Sequence, residues 1–239
     1  MGILLDRIIP MPTAVRRQRL YSEDTMRYSL LLAALAFITG LLATDTPAAP
    51  VAKPKGGSSF FNGKNLEGWE GLEYWSAKDK AIVGFTPQDP KFNTFLCSKK
   101  KYGDFELKFK VRLKDGVGNS GVQIRSKVVD KEKFVVAGPQ CDIGANYWGS
   151  LYGERFGGMM KQSPGDLVKK AVKPKEFNDY YIKCVGKHVT IKVNDETMVD
   201  DDFPKMPDDG IIAWQLHAGF PTMEVIFKDI HFTDLSKSK

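Results

Sequence analysis

From Phe60 onward the chain alternates. In "FELKFKVRL", Phe105, Leu107, Phe109, Val111 and Leu113 take every second place against Glu106, Lys108, Lys110 and Arg112. That is the period of a strand with one buried and one wetted face. The same reading assigns strands to "AIVGF", "TFLCS", "SGVQIRSKV", "YYIKCVG", "HVTIKVN", "GIIAWQLHA" and "MEVIFKDIHFTDL". All carry β-branched or aromatic residues, and Gly, Pro, Asn and Asp separate them. "VGKHV" around Gly186-Lys187 predicts a tight hairpin, and Asn194-Asp195 predicts the next turn. No stretch holds a sustained 3.6-residue apolar stripe, and "PGDLVKKAVKP" has room for one short helical turn before Pro174. Many short strands without helices between them predict an all-β fold. A jelly-roll sandwich of two antiparallel sheets is the simplest way to use them, and the outward side of a curved sheet would offer a groove to small ligands.

The alternation also names what faces outward. After the Gly-rich turn "GVGNSG", Val122 and Ile124 point to the core, so Gln123 and Arg125 project from the other face. In "GIIAWQLHAG", Ile212, Trp214 and Leu216 share one face and leave Ile211, Ala213, Gln215 and His217 on the opposite one. Ala213, Ala218 and Gly219 clear space above that Gln-x-His pair. The segment "GPQCDIGANYWGSLYGERFGGMM", Gly138 to Met160, is the least regular part of the domain by its sequence. It carries Gln140, Asp142, Tyr147, Trp148, Tyr152, Glu154 and Arg155 among its glycines, with Gln140 and Asp142 on one face. Aromatic rings beside carboxylates and an amide suit a saccharide, because rings stack on its C–H face and polar groups take its hydroxyls. "VDDDF", Asp200 to Asp202, reads as a solvated turn, and His188 and His231 read as solvent-facing strand residues.

Composition narrows the classes. The 239 residues carry a formal charge of +6, but the basic residues are spread through strands instead of forming the stripe that nucleic acid requires. Three cysteines, Cys97, Cys141 and Cys184, are too few and too scattered for a disulfide framework or a zinc site. Cys184 reads as a small buried hydrophobe. Near the start, Arg27 precedes the apolar run "YSLLLAALAFITGLLA", and small residues follow at Ala43, Ala48 and Ala49. This is the layout of a cleaved signal peptide, and at about 16 residues the run is shorter than a bilayer span needs. Met26 opens that layout better than Met1 does. Residues 1–49 are therefore expected to be an N-terminal extension and signal peptide, residues 50–59 ("PVAKPKGGSS") a tether, and residues 60–239 one β-sandwich domain of an exported, periplasmic or extracellular protein.

"FFNGKNLEGW", "YGDFELKFKVRL", "GNSGVQIRS", "WGSLYGE", "KEFNDYYIKCVGKHVTIKVND" and "GIIAWQLHAG…VIFKDIHF" follow one another in an order that resembles the 3-keto-disaccharide hydrolase domain family. The likeness runs from Phe60 to Leu235. Gln140 stands where many members carry Glu, and Lys228-Asp229 stands in place of Arg-Asn. The resemblance implies a concanavalin-A-like jelly roll that cleaves glycosides whose glucose unit is oxidised at C3. A C3 ketone acidifies the C2 proton, so a modest base can form an enediolate whose collapse expels the C1 substituent; water addition then completes a net hydrolysis. On this expectation Arg125 stabilises the enediolate oxygen, His217 is general base or acid, and Asp142 or Glu154 makes the complementary proton transfer. Asn119, Gln140, Trp148, Tyr152 and Gln215 position the sugar, with Gly121 letting the backbone pass close to it. No cofactor is required, although His217, Asp142 and Glu154 could share a divalent metal. The expected partner is a small saccharide, and a non-catalytic carbohydrate-binding module on the same fold is the alternative.

Overall fold

The computed structural model describes residues 60–236. The expected signal peptide and tether lie outside them. Fourteen strands run in chain order: β1 (Trp69–Glu70), β2 (Trp75–Lys78), β3 (Ala81–Thr86), β4 (Thr94–Tyr102), β5 (Phe105–Leu113), β6 (Ser120–Asp130), β7 (Val135–Ile143), β8 (Leu151–Glu154), β9 (Gly158–Lys161), β10 (Asn178–Val185), β11 (His188–Val193), β12 (Glu196–Asp202), β13 (Gly210–Leu216) and β14 (Met223–Asp234). One helix, α1 (Gly165–Ala171), sits between β9 and β10 where the short helical turn was expected. The strands form two antiparallel sheets of seven, ordered β1-β4-β13-β6-β7-β8-β9 and β12-β11-β10-β5-β14-β3-β2. This is the predicted jelly-roll sandwich.

The core follows from the alternation. Phe105, Leu107, Phe109, Val111 and Leu113 of β5 are all buried, while the residues between them are not. They meet Ile212, Trp214 and Leu216 of β13 across the sandwich in one cluster. Its centre is aromatic. Trp214 lies edge-on to Phe109 with ring centroids 5.3 Å apart and against Phe227 at 4.4 Å, and Phe109 stacks on Tyr180 at 5.1 Å. Each fully buried ring removes enough apolar surface from water to be worth roughly 1.5–3 kcal/mol. Cys97, Cys141 and Cys184 are buried free thiols that act as small hydrophobes.

Alternation fails near the middle of β6, and this failure shapes the molecule. Pairing between β6 and β7 passes from Gln123↔Gln140 to Lys127↔Ala137, so β6 spends three residues where β7 spends two. Such a bulge resets which side each later residue faces. Arg125, at φ 46°, is the residue at the reset. Gly210 of β13 makes room for it: a Cβ there would lie 2.2 Å from the Arg125 carbonyl carbon. Beyond the bulge the hairpin covers part of the outer face of its own sheet. Val128, Phe134 and Val136 pack on Phe95, Cys97, Ile211 and Ala213 in a second, smaller core. Ile211 and Ala213 are outward by period, as expected, but they are covered.

Two stretches are more regular than their sequence indicates. Gly138 to Met160 holds the end of β7, all of β8 and the start of β9. Asp200 to Asp202 belongs to edge strand β12, not to a turn, and His188 of β11 stands between Asp202 and Asp200 at 2.9 and 3.1 Å. Three acids can sit on a strand because this one is exposed and its carboxylates take partners: Lys161 reaches Asp201 at 3.0 Å.

Candidate active site

The site lies on the outer face of the first sheet, beside the second core. Strands β4 and β6 both run antiparallel to β13, so their starts flank its end. This brings Asn93, which precedes β4, and Asn119, which precedes β6, to His217 at the end of β13. With Gln140 and Asp142 of β7, Tyr147 of the turn that follows it, Tyr152 and Glu154 of β8, and Met159 of β9, they line one cavity of about 390 Å³. That volume is at the small end of ligand sites, which run from roughly 300 to 1,000 Å³.

His217 is fixed by its backbone and its ring. Its N–H donates to the Asn119 carbonyl at 3.2 Å, and the next N–H, of Ala218, donates to Asn93 Oδ1 at 3.1 Å. Ring atom Nδ1 is 2.6 Å from the Ala218 carbonyl oxygen. A carbonyl only accepts, so Nδ1 carries a proton, and it is Nε2 that is left to take or present one. The ring edge rests on Phe220, centroids 6.2 Å apart.

Asp142 is 8 % exposed, and its carboxyl is raised to about 7. Burial is the main cause. A hydrogen bond from Gln140 works against it, and the negative charge of Glu154 adds to it. A carboxyl in this condition can give or take a proton near neutrality. Gln140 joins it to the sheet: its Nε2 is 2.9 Å from Asp142 Oδ1, 3.2 Å from Gln215 Oε1, and its Oε1 is 2.9 Å from Gln123 Nε2. Gly121 allows this reach. A Cβ at position 121 would lie 2.6 Å from Gln140 Cδ, so the small residue makes room for the glutamine and not for a ligand. Gln215 is fully buried beneath the cavity and touches Gln140, so it supports the floor from below instead of lining it.

Two expected site residues are elsewhere. Arg125 is 2 % exposed, and its guanidinium donates to the carbonyls of Gly103, Gly186 and Pro207 and to Asp104 Oδ1. Gly103 and Asp104 lead into β5 and Gly186 turns β10 into β11, so this side chain clips one sheet to the other. The bulge is the reason: period-two counting puts Arg125 with Gln123, but it is Ser126 that joins Gln123, donating to its Oε1 at 2.7 Å. Trp148 is 3 % exposed and belongs to the main core. The 3-10 turn Ala145–Tyr147 leaves Tyr147, one residue earlier, as the exposed ring at the cavity.

Asn93 and Met159 were missed. The signal for Asn93 was its place just before a strand, the same as that of Asn119. Among the described residues no group of three or more His, Cys, Asp or Glu side chains is gathered closely enough to hold a metal ion. Likewise, among the described residues no helix is long and apolar enough to cross a membrane.

The family model described as 3-keto-alpha-glucoside-1,2-lyase-like domain matches residues 56–233. Two solved proteins of Parabacteroides distasonis ATCC 8503, each described as a candidate glycosyl hydrolase, share the fold. One is 19 % identical with a TM-score of 0.55 over 74 % of this chain and 92 % of its own; the other is 22 % identical with 0.54 over 74 % and 98 %. The carbohydrate-binding module CBM66 of Bacillus subtilis is 14 % identical, TM-score 0.50, over 69 % and 94 %. No curated protein matches the sequence.

Proposed function

Because the chain belongs to the 3-keto-alpha-glucoside-1,2-lyase-like domain family, we propose that its cavity cleaves the glycosidic bond of 3-keto-disaccharides or 3-keto-glucosides, outside the cytoplasm. The observation that carries this reading is a base and an acid of suitable state in one cavity: His217 with a free Nε2, and Asp142 with a carboxyl near neutrality. Nε2 takes the proton from C2, and the electron pair of that C–H bond passes to the C3 oxygen as an enediolate. As the C3 carbonyl re-forms, a C1–C2 double bond forms and the C1–O bond breaks. The departing oxygen takes the proton of Asp142. Water then adds at C1, giving its proton to the Asp142 carboxylate, while the imidazolium returns a proton to C2. Both groups end as they began.

With Arg125 between the sheets, the enediolate oxygen needs another donor. The carboxamides of Asn93 and Asn119 fit this role. Asn93 Oδ1 is already taken by the Ala218 N–H, which leaves its NH₂ to donate. Tyr147 and Tyr152 supply faces for the sugar ring. Glu154, half-buried on the same wall, adds its charge to the burial that favours the proton on Asp142.

The test is release of the leaving group from a 3-keto-glucoside in D₂O, followed by NMR. Deuterium should enter at C2 of the product, and His217→Ala should lower turnover at least about a hundredfold with the fold intact. Binding without product release would instead assign the cavity to a carbohydrate-binding module. Equal cleavage of the unoxidised glucoside would show that C2 acidity plays no part.

A further inference from the structure

Three glutamines are packed beside the acid: Gln123 and Gln215 are 0 % exposed and Gln140 is 3 % exposed. A carboxamide has a donor end and an acceptor end of nearly equal shape, so each can be seated in two ways. Their mutual contacts couple those choices. In one seating Gln123 Nε2 donates to Gln140 Oε1, and Gln140 Nε2 donates to Asp142 Oδ1 and to Gln215 Oε1. This seating suits an ionised Asp142. It also points Gln123 Oε1 at the carbonyls of Gly138 and Pro139, both 3.3 Å away, and leaves the buried Gln215 Nε2 with no partner.

The opposite seating relieves both faults. Gln123 Nε2 then donates to Ser126 Oγ at 2.7 Å and to the Gly138 and Pro139 carbonyls. Its Oε1 accepts from Gln140, whose own Oε1 now faces Asp142 and Gln215. Gln215, turned over, gives its NH₂ to that oxygen. The remaining contact, 2.9 Å between Gln140 Oε1 and Asp142 Oδ1, is a hydrogen bond only if Asp142 carries the proton.

We propose that Gln123, Gln140 and Gln215 form an amide relay in which the acceptors around Gln123 hold Gln140 with its oxygen toward Asp142, and so keep Asp142 as a hydrogen-bond donor. Gln123 is then a positioning residue that sets the charge state of an acid it does not touch. The inference rests on the proposed role of Asp142 as the acid, but the relay exists or fails in the unliganded protein. The other titratable groups about Asp142 are Cys141 on its own strand, Glu154 and Tyr152 of β8, Tyr147 before β8, His217 beyond β13, and Tyr180 of β10, whose hydroxyl donates to the Asp142 carbonyl at 3.0 Å. That hydroxyl reaches only the Asp142 backbone and not its carboxyl. Glu154 works in the same direction as the relay, so the two must be separated by experiment.

The experiment is a pH titration of the unliganded protein by NMR, reading the Asp142 side-chain carbon and the side-chain NH₂ signals of the three glutamines. In wild type the Gln140 and Gln123 signals should move with the same midpoint as Asp142. Gln123→Met and Gln123→Leu each keep an apolar body of similar bulk and remove the amide. Each should lower the Asp142 midpoint by at least half a pH unit, with Glu154 untouched. Glutamine signals that ignore the Asp142 titration, or a midpoint unmoved in both variants, would overturn the relay. No substrate is used, so the outcome is independent of whether 3-keto-glycosides are cleaved.

Discussion

Asp142→Asn should stabilise the protein above neutral pH while sharply lowering turnover. The carboxyl is raised from 3.8 to about 7 in the fold, mainly by burial. A raised acid binds its proton more tightly folded than unfolded, so between about pH 4 and pH 7 the unfolded chain ionises first and gains. Stability therefore falls as pH rises through that window and stays lower above it. About three pH units at 1.36 kcal/mol each give an upper bound near 4 kcal/mol. Water reaching the carboxylate through the cavity reduces this, and about 2–4 kcal/mol is expected. Asn removes the term and keeps both polar ends for Gln140. Urea unfolding of wild type and variant at pH 4 and pH 8 gives the double difference, in which other titrations cancel. The stability gain of the variant should be larger at pH 8 than at pH 4 by that amount, while turnover of a 3-keto-glucoside falls by about 10²–10⁴. A gain that is equal at the two pH values, or smaller at pH 8, would refute the claim that the fold holds this carboxyl against ionisation.

Arg125→Leu should destabilise the domain by about 3–5 kcal/mol, because four acceptors from both sheets lose their donor and Asp104 its ion pair. Thermal melting reads this, and activity per folded molecule should stay within about twofold, where a catalytic arginine would lose orders of magnitude. Tyr147→Ala removes an exposed ring from the cavity wall; KM should rise about three- to tenfold with kcat little changed, as expected for ~0.5–1.5 kcal/mol of stacking.

Much of this was legible because burial leaves a period in the sequence. The five apolar residues of β5 announce their strand and its inner face, and the Gln-x-His pair of β13 correctly places Gln215 and His217 on the outer side. Gln140 and Asp142 are likewise found together. What the pattern hides is a change of parity and a change of cover. Arg125 looks outward by counting, but one extra residue in β6 turns it to the interior. Nothing in "GVQIRS" marks the bulge, since the residue that permits it, Gly210, is on another strand. Ile211 and Ala213 look like a floor, but the end of the β6–β7 hairpin covers them. Trp148 and Tyr147 are adjacent rings of opposite fate, decided by a 3-10 turn that composition does not specify. Asn93 enters the site only because β4 is antiparallel to β13, which is a property of the topology and not of the local sequence.

These corrections bear on the choice of substrate. The loss of Arg125 leaves a cavity whose lining holds two carboxyls, Asp142 and Glu154, one imidazole and no lysine or arginine. Such a lining repels anions, so on the proposed function acidic sugars are poor candidates and a neutral saccharide fits better. On the proposed mechanism it also leaves the developing enediolate charge to neutral amides. That charge would be costly beside two ionised carboxylates and less so beside one. In the proposed mechanism, keeping Asp142 protonated would serve two needs at once: it would ready a proton for the departing oxygen, and it would halve the negative charge next to the reacting carbon. The bulge that removes the arginine and the glutamines that hold the proton are neighbours along β6, Gln123 and Arg125, and through them one irregularity of the sheet decides both the clip between the sheets and the electrostatics of the site.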